Sequence, residues 1–140
     1  MNVSPFRMTV DVPPRHCDAQ GMVHALRYHE YFEDAFLGWL AARGCAYDTL
    51  RDRGVDLVIG NVTVRYRSPA RLGDRLDLTC DADASSTSTV TVDFRVTRDS
   101  DVIADASITY VTVCSGASAP LPVELAVGPR SASEQRAADE

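Results

Sequence analysis

The sequence predicts an α+β fold in which one long helix lies across a curved antiparallel sheet. Three observations lead there. Apolar residues recur at helical period from Tyr28 to Leu40. Runs that alternate apolar and polar residues dominate the chain after Gly54. The links between those runs are short, which favours antiparallel neighbours.

Taken in order, Phe6 to Val12 reads as a strand, with Phe6, Met8 and Val10 alternating against Arg7, Thr9 and Asp11. Pro13 and Pro14 end its pairing. A loop, "RHCDAQGMVHA", leads into a helix expected over Arg27 to Arg43. Tyr28, Tyr31, Phe32, Ala35, Phe36, Trp39 and Leu40 form its apolar stripe, and Gly44 sits at the stop position. A shorter helical segment, "AYDTLRDRG", ends at Gly54. Four β-rich runs follow: "VDLVIGNVTVRYRSP", "DRLDLTCDADA", "STVTVDFRVTR" and "DVIADASITYVTVC". In the first of these, Val62, Val64 and Tyr66 alternate with Asn61, Thr63, Arg65 and Arg67. Turns are expected at Pro69 to Asp74, near Ser85 and Ser86, and at Asp99 and Ser100. A sheet of this kind leaves open edges, and an edge strand can be protected by pairing with a second subunit.

A chain of 140 residues is most simply one domain, expected over 1–127. The polar tail 128–140, "GPRSASEQRAADE", is expected to be disordered. Net charge is −6 with no basic run, which argues against nucleic acid as a partner. All 14 basic residues are arginines, whose planar fork still suits isolated phosphate contacts. No run approaches the roughly 18 apolar residues of a membrane span. The start, "MNVSPFRMTVDV", lacks a charged-then-apolar signal layout. Cys17, Cys45, Cys80 and Cys114 are scattered without CxxC spacing, so free thiols in the cytoplasm are expected. Neither a metal nor another cofactor is expected. His16, His24 and His29 match no common ligand spacing. The neighbours His16 and Cys17 would point to opposite faces of an extended chain, which makes a Cys–His nucleophile awkward.

The pattern Asp18-x-x-Gly21-x-Val23-x-x-x-x-Tyr28-x-x-Tyr31-Phe32-Glu33-x-Ala35 resembles the signature of the 4-hydroxybenzoyl-CoA thioesterase family of hotdog-fold proteins. "VTVRYRSPARLGDRLDL", from Val62 to Leu78, resembles that family's strand, Pro-Ala turn and Gly-Asp pair. "STVTVDFRV" and "PLPVEL" match in style and place, so the resemblance spans about Arg7 to Leu125. It implies a hotdog fold assembled as a homodimer or a homotetramer, with active sites at the dimer interface. It also implies cleavage of thioesters of coenzyme A or an acyl carrier protein. The composition, rich in Arg, Ala and Asp, suggests a GC-rich genome and a place in secondary metabolism.

The resemblance assigns Asp18 as nucleophile on the thioester carbonyl or as general base for water. The plainer alternative is a turn or cap aspartate. Gly21, His24 and Ala25 would form the oxyanion site, where N–H groups and the helix dipole meet growing negative charge. Relatives in the acyl-CoA thioesterase branch carry a Tyr-His pair where this chain has His24-Ala25. His24 is therefore read as structural or substrate-lining. Tyr28, Tyr31, Phe32 and Thr89 are candidates to line the acyl pocket, with core packing the default for the three aromatics. Arg65, Arg67 and Arg71 could meet phosphates of coenzyme A or of a carrier arm, against the plainer reading of solvated arginines. Two rival functions remain: a non-catalytic acyl-binding module, and a hotdog hydratase or dehydratase, which the "DAQGMVHALRY" loop fits poorly.

Overall fold

The computed structural model describes residues 5–84 and 86–126. The expected tail, 128–140, lies outside them, as does Ser85 of the expected turn. The elements are strand β1 (Phe6–Asp11), a 3-10 turn (Pro14–His16), helix α1 (Ala25–Ala42) and helix α2 (Tyr47–Asp52). Strands β2 (Val55–Tyr66), β3 (Arg75–Ala84), β4 (Thr89–Arg98), β5 (Asp101–Cys114) and β6 (Ala117–Ser118) follow, then a 3-10 turn (Val123–Leu125).

Helix α1 starts two residues before the expected Arg27, because His24 caps it. His24 is extended (φ −63°, ψ 136°) and its Nδ1 accepts the Leu26 N–H at 3.4 Å. The stripe read from the sequence is the buried face: Tyr28, Tyr31, Phe32, Ala35, Phe36, Trp39 and Leu40 are all buried. It lies on alternate residues of β3, β4 and β5, among them Leu76, Leu78, Val90, Val92, Phe94, Ile108 and Tyr110. Phe36 stacks flat on Tyr110, with centroids 3.8 Å apart and planes 5° apart. Gly38 brings the helix close to β1, since a Cβ there would stand 2.2 Å from the Phe6 ring.

Every ladder is antiparallel, in the order β1-β3-β4-β5-β2, with β6 added to β5. The short link from β2 to β3 does not make a hairpin. β2 pairs with β5, and the chain crosses the end of the sheet over residues 67–74 to reach β3. Arg67 and Ser68 donate their N–H groups to the Ile103 carbonyl, and Arg98 donates to the Pro69 carbonyl at 3.1 Å. The crossing also meets the start of α1, where the Ala70 N–H donates to the Tyr28 hydroxyl at 3.4 Å. The alternation read in β2 does not become a buried face: Val64 is half-buried, while Val62 and Tyr66 are exposed. β2 is the last strand of its edge and pairs with β5 alone; Leu57 reaches the core, while Val58, Ile59 and Val62 stay exposed.

Candidate active site

Residues 17–23 form a loop whose ends are pinned together. Cys17 and Val23 make an isolated antiparallel bridge, and the Asp18 N–H donates to the Met22 carbonyl at 2.8 Å. Gly21 takes φ 76°, a conformation that favours glycine, and its N–H donates to the Asp18 carbonyl at 3.0 Å. The crossing link holds the loop from the other side. Val23 donates to the Ala70 carbonyl at 2.8 Å, Leu72 donates to the Gly21 carbonyl at 3.0 Å, and Met22 bridges to Arg71.

Asp18 is exposed in the single chain. Its Oδ1 accepts the Gln20 N–H at 2.9 Å and the Met22 N–H at 3.2 Å. The turn role that the sequence offered as the plainer alternative is thus present, while the helix cap is His24. The turn bonds occupy one oxygen, and the other carries no hydrogen bond among the described residues. Six residues on from Asp18, His24 opens α1, and the Ala25 N–H is the first of the helix's orphan donors. A carboxylate and a partly positive helix end stand on one constrained segment, and no acidic residue in the first helical turn neutralises that end.

Tyr28, Tyr31 and Phe32 are 4%, 2% and 1% exposed, packed rather than lining an open cleft of the single chain. The Tyr28 hydroxyl accepts the Ala70 N–H at 3.4 Å, and its ring meets Tyr31 and Tyr66 at 5.9 and 5.6 Å. Burial raises the Tyr28 pKa and, with the nearby Tyr28 and Cys17, pushes Tyr31 up to about 12. Thr89 begins β4, opposite Val111 of β5, and its hydroxyl is 2.9 Å from that of Ser86. The crossing link instead meets the other ends of β4 and β5, at Arg98 and Ile103. Within one chain, Thr89 and the Asp18 loop are at opposite ends of the sheet.

Of the three arginines, only Arg71 is brought to the loop. Arg67 is engaged by Asp105 of β5 at 2.5 Å, and Arg65 lies exposed on β2. Asp74 fixes the turn that carries Arg71: its Oδ2 accepts the Arg71 N–H at 2.8 Å and Arg98 at 2.7 Å. These bonds hold its carboxyl below the usual value.

His16 does not address Cys17. Its Nδ1 is 2.8 Å from the Tyr31 hydroxyl, whereas the Cys17 thiol faces the Pro13 carbonyl at 3.7 Å. Sequence reading missed this pair and the Tyr28–Tyr66 contact, because partners fifteen and thirty-eight positions apart carry no local signal. No group of three or more His, Cys, Asp or Glu among the described residues is arranged to hold a metal ion. No helix among them is long and apolar enough to cross a membrane.

A family model described as the thioesterase-like superfamily matches residues 12–128. A putative esterase of Aquifex aeolicus is 30% identical over 108 residues, covering 77% of this chain and 84% of that protein. The acyl-CoA thioester hydrolase YbgC of Escherichia coli is 33% identical over 78 residues, 56% of this chain and 58% of that one. The crystal structure of the hypothetical protein AQ1494 from Aquifex aeolicus matches with a TM-score of 0.81 at 29% identity. That match covers 86% of this chain and 95% of the other.

Proposed function

The chain belongs to the thioesterase-like superfamily and has a hotdog fold, and from that premise we propose that it hydrolyses an acyl thioester with Asp18 as the reacting carboxylate. The observation that carries the proposal is the placement of Asp18 and the free end of α1 on one pinned segment. A thioester carbonyl seated between them has a carboxylate on one side and the Ala25 N–H toward its oxygen on the other, since the Gly21 and His24 N–H groups are bonded to the Asp18 and His16 carbonyls.

Two routes use the same geometry. In the first, a carboxylate oxygen bonds to the carbonyl carbon and the C–S bond breaks. The thiolate leaves with the electron pair and takes a proton, and water then opens the anhydride. In the second, Asp18 takes a proton from a water that attacks directly. Coenzyme A is the carrier favoured by the similarity to YbgC, and a carrier-protein thioester is the alternative. Arg71, beside the loop, is the side chain best placed to meet the carrier's phosphates.

The assembly we propose is a homodimer, or a dimer of such dimers. Val58, Ile59, Val62 and Tyr66 are exposed along the β2 edge, with Ile59 54% and Tyr66 51% exposed. An apolar edge of this kind invites pairing with a second copy. Antiparallel pairing there would bring the Thr89 end of the second copy's β4 to the same end of the joined sheet as this chain's Asp18 loop. A shared acyl pocket, lined in part by Thr89, is then accessible.

A second reading, an acyl-binding module without turnover, draws on the double engagement of Asp18 Oδ1 by its own loop. The test is a panel of acyl-CoAs and acyl-pantetheines, with free thiol measured over time and acyl-ligand binding measured in parallel. Thiol release above the uncatalysed rate supports hydrolysis. Binding without release supports the module.

A further inference from the structure

His16 is the last residue of the 3-10 turn that precedes the Asp18 loop, and it makes contacts at two levels. Its carbonyl accepts the His24 N–H at 3.0 Å, which closes the neck of the loop on the helix cap. Its Nδ1 meets the hydroxyl of Tyr31, in the second turn of α1, at 2.8 Å. Arg27 adds a bond to the Arg15 carbonyl at 3.3 Å. Among the described residues, the loop itself contributes no hydrogen bond to the helix beyond its first turn. The His16–Tyr31 bond is the side-chain tie that reaches past that first turn.

We propose that His16 is a positioning residue for the thioester cleavage assigned above to Asp18: as a neutral imidazole accepting the Tyr31 hydroxyl, it holds the neck of the loop in register with the end of α1. The inference rests on that reading of Asp18. Tyr31 is 2% exposed, and His16 is the hydrogen-bond partner of its hydroxyl among the described residues. A proton on Nδ1 would face the phenol proton. The hydroxyl would have to turn its proton into a packed interior to accept instead, leaving a buried donor unmade. Acid therefore loosens the tie.

The surroundings favour the neutral state at ordinary pH. Burial, then Arg27 and Arg15, hold the imidazole below its usual value of 6.5, against smaller opposing effects of Glu30 and Asp34. Burial, and to a smaller extent Tyr28, Cys17 and Glu30 against Arg27, keeps the phenol protonated. A group whose folded pKa is lowered keeps its full contribution above the ordinary value and loses it as pH falls. The tie is complete above about pH 6.5 and fails on the acid side.

The test compares three variants of the full chain with the wild type, on an acyl-CoA that the wild type hydrolyses. His16→Phe keeps a ring and removes the acceptor. His16→Gln keeps an acceptor oxygen and cannot titrate. Tyr31→Phe removes the donor, and it serves in place of His16→Phe should that variant not fold. The expected result is a fall in kcat of about tenfold or more for His16→Phe and Tyr31→Phe, with KM within about twofold. His16→Gln restores most of kcat and flattens the acid limb of the pH profile. Amide NMR signals of the 17–24 loop shift together on acidification in the wild type, with a midpoint below 6.5, and do not in His16→Gln. Unchanged kcat and pH profile in His16→Phe and Tyr31→Phe, or loop amides that ignore acid, overturn the proposal. The NMR readout needs no turnover, so it judges the tie even if Asp18→Asn proves fully active and the reading of Asp18 fails.

Discussion

The Asp18 carboxylate accepts the Met22 N–H at 3.2 Å across its own loop, and the same oxygen accepts Gln20 at 2.9 Å. An asparagine can make both bonds through its amide oxygen, whereas an alanine can make neither. Asp18→Asn therefore separates charge from architecture. Thermal unfolding checks the separation: Asp18→Ala melts a few degrees below the wild type, and Asp18→Asn melts with it.

Arg71 and Arg67 should behave differently although the sequence offers them alike. Arg71 is exposed beside the loop, and Arg67 is held by Asp105. Arg71→Ala is expected to raise KM for an acyl-CoA severalfold with kcat preserved, an effect that shrinks as salt rises. Arg67→Ala leaves KM unchanged. Steady-state kinetics at two ionic strengths decides the matter.

Ile59 and Val62 lie exposed on the outer edge of the sheet. A glutamate at either position would place like charges opposite one another in an edge-to-edge dimer. Ile59→Glu and Val62→Glu are expected to sediment as monomers, with most activity lost. A wild type that sediments as a monomer at micromolar concentration would contradict the proposed assembly.

Asp74 joins Arg98 to the Arg71 turn, and its pKa is lowered first by the Arg71 N–H and then by Arg98. A depressed carboxyl contributes stability that is present above its ordinary value, 3.8, and is lost as pH falls through the folded value below it. The wild type should thus lose more stability than Asp74→Asn on acidification through that range. Urea midpoints measured in steps below pH 5 test the difference.

Much of this architecture was legible because it is periodic. The Tyr28 to Leu40 stripe and the alternation in Thr89 to Arg98 report burial directly, and both became core faces. The alternation of Val62, Val64 and Tyr66 marked a strand, β2, but period two shows which residues share a face and not whether anything covers it. The position of β2 beside β5 was hidden for a related reason: short links suggest hairpins, and only the anchoring of residues 67–74 on Ile103 and Arg98 sends the chain across. The Asp18 loop was legible as a motif. Its ties to Ala70 and Leu72, and the bond of the preceding His16 to Tyr31, are long-range bonds of backbone and buried hydroxyl groups, which leave no pattern in sequence.

The most direct measurement is the turnover of an acyl-CoA by Asp18→Asn beside the wild type, with thiol release as the signal and matched melting curves as the control. A loss of kcat of about a hundredfold or more, with the fold and acyl-ligand affinity intact, is the predicted result. A folded Asp18→Asn enzyme that turns over at the wild-type rate would contradict the account.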